Sequence, residues 1–235
     1  MILNQYSNLY IGVRLKCMIS DSSATLLAYG LDDPSLPPSK VAVVDIGWST
    51  TEISIYDVSG GLFFPLASAI STDICGKILV NLLAEHCAKD FQRKTKQQCT
   101  DSSKSMMRLR RECEDAMKIL STGAEATIDI DSLYEGADYS SKITRARFED
   151  LISIPLMQLK KIIADCLAQA SCESTGVTDI CLSGGLSAIP RIQSMIKTIF
   201  PTASIAKGKF ETSEVQCIGA ALHGKYLSQQ VMFMN

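Results

Sequence analysis

Residues 41–58, VAVVDIGWSTTEISIYDV, constrain the fold more than any other part of the chain. Four apolar residues, Val41, Ala42, Val43 and Val44, run into an acid, Asp45. The chain then turns through Gly47, Trp48, Ser49 and Thr50, after which Ile53, Ile55 and Val58 roughly alternate with polar residues. This pattern predicts a buried strand, a short turn and a second strand, most simply a hairpin. The acid at the strand end points into the turn. Backbone N–H groups and hydroxyls in such a turn can cradle phosphate oxygens, and the acid can hold a magnesium ion through water. The same residues also fit an ordinary hairpin whose aspartate caps the turn.

With 235 residues, the chain can bury roughly 70–75% of its unfolded surface, so one large domain or two small ones both fit. An apolar fraction of 46% and a net charge of -2 describe a globular protein, with no electrostatic argument for nucleic acid or a membrane surface. The nine cysteines are scattered without a C-x-x-C pair, and the two histidines, His86 and His223, are far apart in sequence. Neither a zinc site nor a disulfide framework is indicated. The cysteines read as small buried hydrophobes of a reducing compartment, and the cytosol is the expected location. The N-terminal stretch MILNQYSNLYIGVRLK lacks a long apolar core, and no segment is apolar enough over its length to span a bilayer.

Taken in order, residues 24–31 predict an apolar helix ending near Gly30, and residues 32–39 a Pro-rich surface loop. After the hairpin, Gly60-Gly61 turns the chain into a third strand over 62–70. Helical spacing predicts helices over about 76–91 and 101–120, the second strongly amphipathic. A strand follows over 126–130. Thr144 is placed to N-cap one long helix ending near Ser171. Residues 178–183 predict a strand that runs directly into Gly184-Gly185, and Pro190 fits the first turn of the next helix. A short strand near 204–206 and a helix over about 215–227 complete the reading. Alternating strands and helices in the second half indicate an α/β fold.

Two further segments can carry chemistry. Ser183, Gly184, Gly185, Leu186 and Ser187 lie between a strand and a helix, where glycine permits close approach of a ligand and a helix start offers free N–H donors; a plain strand-to-helix turn fits equally. Glu114, Lys118 and Ser121, spaced four and three apart, share one helix face and can grip a ribose and a base, or form a solvated ion pair.

The segments LRRECEDAMKILST (109–122), IDIDSLYEGADY (128–139), ITRARFEDL (143–151), ICLSGGLSAIPRIQ (180–193) and CIGAAL (217–222) closely resemble the ATPase domain of the seventy-kilodalton heat-shock protein (Hsp70) family. The resemblance covers residues 21–225. It implies an actin-like, ribonuclease-H-like pair of α/β lobes with ATP or ADP and magnesium in the cleft. An incomplete first lobe (1–40) is then followed by a complete second lobe (41–210) and a C-terminal segment (211–235) whose helix returns to the first lobe. By resemblance, Asp45 is the acid near magnesium and Asp21 matches the catalytic glutamate that places the metal waters. Gly47, Trp48, Ser49 and Thr50 match the second phosphate loop. Glu114, Met117, Lys118 and Ser121 match the adenosine-gripping helix, and Gly184, Gly185, Leu186, Ser187 and Ala188 the second adenosine loop. The implied activity is ATP hydrolysis in a protein-folding chaperone, with J-domain co-chaperones and nucleotide exchange factors as partners. Divergence in the phosphate turn points to the ribosome-associated, Hsp70-like branch, acting near nascent chains.

Several positions depart from the family pattern. Where the family has Asp-Leu-Gly-Gly-Gly-Thr, this chain has Asp45-Ile46-Gly47-Trp48-Ser49-Thr50, so an indole stands where backbone approaches a phosphate. Cys75-Gly76 replaces a Gly-Gly pair, and Lys77 replaces an acid. Met117 replaces a lysine. Ala188 replaces an arginine that stacks on the base, losing a cation–π contact of roughly 0.5–2 kcal/mol. Residues 1–20 show neither the family's first phosphate loop nor its catalytic lysine. These 235 residues are therefore expected to hydrolyse ATP poorly by themselves. The alternative expectation is a non-catalytic interaction module.

Overall fold

The computed structural model describes residues 17–233; the mixed N-terminal stretch, residues 1–16, and residues 234–235 lie outside it. Helix α1 (Asp21–Ala28) starts three residues before the expected 24 because the Ser20 hydroxyl caps it, accepting from the Ser23 N–H at 3.2 Å. Strands β1 (Ser39–Ile46), β2 (Thr51–Ser59) and β3 (Leu62–Ser71) form the expected antiparallel meander. The β2–β3 turn is Gly60-Gly61, with φ of 57° and 76°, the positive values that a tight two-residue hairpin turn demands.

The second half adds β6 (Asp179–Ser183), parallel to β1, and the short β7 (Ser204–Ile205), parallel to β6. The sheet order is β3-β2-β1-β6-β7. Both faces are covered, which is why β1 reads as a continuous apolar run. Ala42, Val44, Ile46, Ile53, Ile55, Ile180 and Leu182 belong to the large core. That core also includes Leu79 and Leu83 of α2 (Gly76–Thr95) and Leu159 and Ile163 of α5 (Ser153–Gln169). Val41, Val43, Tyr56, Val58 and Cys181 point to the other face, against Leu26 of α1. Ile53 and Val58 thus serve opposite faces, and what looked like rough alternation is regular alternation with both faces buried.

Helix α3 (Ser103–Thr122) packs on α2, and the hairpin of β4 (Glu125–Tyr134) and β5 (Ala137–Thr144) packs on both. Strand β5 was not anticipated: its inward residues Tyr139 and Ile143 are diluted by serines and a lysine. The predicted single helix from Thr144 is two. Thr144 does cap α4 (Arg145–Leu151), accepting from the Arg147 N–H at 3.3 Å, but the chain breaks at Ile152 before α5. Pro155 is the reason, since its ring would clash with the Leu151 carbonyl four residues back in a continuous helix. Pro190 takes the first position of α6 (Pro190–Ile199), as its fixed φ favours.

Helix α7 (Val215–Phe233) runs along α1. Gly219 lies directly on the Ala24 carbonyl, with no room for a Cβ, so the two helices cross at backbone contact. Among the described residues no helix is long and apolar enough to cross a membrane. The α/β class and the meander joined to parallel strands are those of a partial actin-like domain.

Candidate functional site

The C-terminal ends of β1 and β6 lie side by side, with Asp45 in register with Ser183. In open α/β sheets, ligands bind beyond the carboxyl ends of parallel strands. Here both strands open there into turns. After β1 comes the four-residue turn 47–50, closed by Gly47 N–H donating to the Thr50 carbonyl at 2.9 Å. The turn is docked on the start of α2: the Gly76 and Lys77 N–H groups donate to the Gly47 and Trp48 carbonyls, each at 3.0 Å. Thr51, just beyond, is buried and its hydroxyl donates to the Ile74 carbonyl. With its carbonyls tied down, the turn presents N–H groups. Those of Trp48, Ser49 and Thr50 have no acceptor among the described residues.

The Trp48 indole is 49% exposed and lies over Gly76, where a Cβ would come within 2.6 Å of Trp48 Cε3. The bulk at position 48 is therefore seated on a glycine at the start of α2.

After β6, Gly184 adopts φ 79° and ψ 145°, and its N–H donates to the Thr212 carbonyl at 2.9 Å. A Cβ there would lie 2.5 Å from the Ile46 carbonyl carbon and 2.7 Å from Asp45 Oδ1. Gly185 is different: a Cβ would meet nothing within 4 Å, its φ is unstrained, and it is exposed. Gly184 lets the two strand ends come together, while Gly185 faces open space. Leu186 and Ser187 are buried, and the Ser187 hydroxyl donates to the Gly184 carbonyl at 2.7 Å, bracing the turn. Ala188 is exposed.

Asp45 sits between the turns. Its Oδ2 accepts from Gln216 Nε2 of α7 at 2.9 Å, whereas Oδ1 is buried and without a partner among the described residues, as is Ser183 Oγ. Burial raises the Asp45 carboxyl above its ordinary value. The Gln216 hydrogen bond and the nearby Ser183 hydroxyl, which is too far or too poorly aimed to complete a hydrogen bond, oppose the rise, and the charges of Asp21 and Glu52 reinforce it. Asp21 stands in the first turn of α1, exposed, near enough for its charge to act on Asp45. A buried carboxylate oxygen without a completed hydrogen bond, within the field of a second carboxylate, suits a hydrated cation.

The adenosine-helix residues separate. Glu114 lines a cavity of about 610 Å³ together with Trp48 and Ser49, so the structure brings this part of α3 to the turn. Lys118 is one helical turn further on, exposed, and paired with both Glu114 and Asp115 at 3.0 Å. The Ser121 hydroxyl donates to the Lys118 carbonyl at 2.6 Å. Met117 is not at the surface; it is buried in the main core. Ser183, the first residue of the second turn's motif, stands in register with Asp45 as its place in the sequence suggests. Sequence reasoning missed Gln216, which lies 171 positions from its partner and carries no local signal.

A family model described as Hsp70 protein matches residues 8–234. A heat shock protein of Pyricularia oryzae is 34% identical over 218 residues, which is 92% of this chain and 35% of that protein. Heat shock cognate 70 kDa protein 3 of Dictyostelium discoideum is 33% identical over 90% of this chain and 34% of its own length. Heat shock 70 kDa protein 14-A of Xenopus laevis is 34% identical over 92% and 42%. The chain thus spans between about a third and two-fifths of these relatives.

Proposed function

Since the chain belongs to the Hsp70 protein family, we propose that it binds an adenine nucleotide with magnesium at the joined ends of β1 and β6, as part of an Hsp70-type chaperone ATPase of the cytosol. The observation that carries this reading is the convergence of unpaired groups. The N–H groups of Trp48, Ser49 and Thr50, the donorless Oδ1 of Asp45 and the open Gly185 lie on the adjoining ends of β1 and β6 and the turns that follow them. The turn donors suit phosphate oxygens. Asp45, with Asp21 beside it, suits the water shell of a magnesium ion, which when bound would neutralise phosphate charge. Gly185 and Ala188 offer a bare, exposed surface to the base and sugar. Glu114, Lys118 and Ser121 supply polar groups from α3, whereas buried Met117 contributes only packing. The pairing of α1 with α7 supports taking residues 1–40 and 211–235 with the first lobe and 41–210 as the second.

Turnover by these 235 residues alone should be poor. Phosphoryl transfer rests on positioning and charge stabilisation from both sides of the cleft, and one lost oxyanion-type donor costs about 10²–10³ in rate. Residues 1–20 do not read as the family's first phosphate loop or lysine. A single-turnover assay with and without the upstream lobe supplied checks this; equal rates would refute it. J-domain proteins and exchange factors are the corresponding partners, with nascent chains at the ribosome as the setting. The Trp48 turn favours a second reading, a module that binds nucleotide or partner without hydrolysis, and measuring binding and hydrolysis separately distinguishes the two.

The direct test is Gly185→Val. Because the site has open space and ordinary φ, the variant should fold with a native circular dichroism spectrum while losing adenine-nucleotide binding. Unchanged affinity in the folded variant would sink the proposal.

A further inference from the structure

The cavity between the 47–50 turn, α2 and α3 is lined by Lys77, Arg110 and Arg111, with Glu114 as its one carboxylate, and Trp48 forms a wall. We propose that it is a second anion site, taking a polyphosphate-type anion through side chains and without a metal ion. It goes beyond the nucleotide reading, sharing Trp48 and Ser49 with the turn but not using Asp45, Gly184 or Gly185.

Charge is the first argument. Among the described residues, none of the three cations is ion-paired with a carboxylate, and Glu114, the pocket's own acid, is already held by Lys118 at 3.0 Å. Arg111 also borders the acids Glu112, Asp129 and Asp131 on its far side, but Lys77 and Arg110 reinforce it here, and the three cations around one concavity focus a positive field inside it. Geometry is the second argument. The Arg110 Nε donates to Asn81 Oδ1 at 2.8 Å, which fixes the guanidinium and leaves its terminal N–H groups free for an oxyanion. Lys77 and Arg111 are exposed at the rim. A volume of about 610 Å³ falls within the range of roughly 300–1,000 Å³ typical of small-molecule sites.

The helix start does not supply the binding. The Gly76 and Lys77 N–H groups of α2 are consumed by the Gly47 and Trp48 carbonyls. An anion here must be held by the side chains, so charge reversal at them is decisive. Trp48, the chain's only tryptophan, reports on occupancy.

The test is a titration of sodium tripolyphosphate into the full chain in EDTA, followed by calorimetry and Trp48 emission. Saturable binding is expected, weakened at least about tenfold by Lys77→Glu and by Arg111→Glu, both surface changes that circular dichroism should show to be folded. Gly185→Val, which should abolish adenine-nucleotide binding, should leave tripolyphosphate binding intact. Absence of saturable binding overturns the inference, as does binding indifferent to both charge reversals. Tripolyphosphate binding lost in Gly185→Val would place the anion at the strand-end crevice and overturn it too. If Mg-ADP binds and tripolyphosphate does not, this inference falls and the nucleotide reading stands; if tripolyphosphate binds and Mg-ADP does not, the nucleotide reading falls and this one stands.

Discussion

The two adjacent glycines after β6 should respond oppositely to the same small change. Gly184→Ala forces a Cβ to within 2.5 Å of the Ile46 carbonyl carbon and 2.7 Å of Asp45 Oδ1, against backbone with little room to move. It also places a side chain at φ 79°, ψ 145°, bordering a region that only glycine occupies comfortably. The backbone conformation costs about 1–3 kcal/mol and overpacking about 1–3 kcal/mol more, together about 2–6 kcal/mol. For a domain of this size each kcal/mol shifts Tm by about 2–4 °C, so a fall of roughly 5–20 °C is expected. Set against a total stability of about 5–15 kcal/mol, the upper end would leave the chain partly unfolded. Gly185→Ala meets nothing within 4 Å at an unstrained φ. It should be neutral or stabilising by up to about 1 kcal/mol, because alanine restricts the unfolded chain. Thermal melts and urea titrations of the two variants beside the parent decide the matter. A Gly184→Ala protein that melts within about 2 °C of the parent, or a Gly185→Ala protein that loses as much as Gly184→Ala, would refute the division of labour between them.

The half-exposed Trp48 indole should shift its emission to shorter wavelength when Mg-ADP fills the neighbouring crevice, and silence at saturation would count against its placement. Trp48→Gly, which restores the residue of the resembled family pattern, should tighten nucleotide binding, and unchanged or weaker affinity would show that the indole does not crowd the phosphates. Asp45, raised by burial, binds more protons folded than unfolded across the window from its ordinary value upward; its contribution therefore falls as pH rises through that window. Asp45→Asn should remove this slope from melts run over the pH range just above the ordinary carboxylate value, and an unchanged slope would mean the group is not buried as described. Thiol titration should find Cys17 and Cys217 fast and Cys172 slower, with Cys75, Cys87, Cys99, Cys113, Cys166 and Cys181 reacting only after denaturation; more than three thiols reacting in the native state would contradict the packing.

Local signals made the meander legible: an apolar run, a turn, alternation and Gly60-Gly61 each specify backbone within a few residues. The same holds for the Thr144 cap and for Pro190 at a helix start. Strand β5 was hidden because it packs a single face with Tyr139 and Ile143, and its other residues are polar. The break at Ile152 was written in Pro155, which would fall deep inside one helix from Thr144 but sits in the first turn of α5, where proline is tolerated. At the site, the residue types of both turns were readable, and their roles were not. Only the structure separates Gly184, which admits the Ile46 carbonyl, from Gly185, which faces outward. Gln216 and the cavity of Lys77, Arg110 and Arg111 depend on elements meeting across the fold, which no local pattern encodes.

The most direct measurement is calorimetric titration of ADP into the purified chain with magnesium and again in EDTA, repeated on Asp45→Asn. The account predicts saturable one-site binding that magnesium tightens in the parent and leaves unchanged in the variant, since the donorless Oδ1 of Asp45 is what addresses the hydrated ion. A folded parent that takes up no ADP, or one whose ADP affinity magnesium raises equally with and without the Asp45 carboxylate, would contradict it.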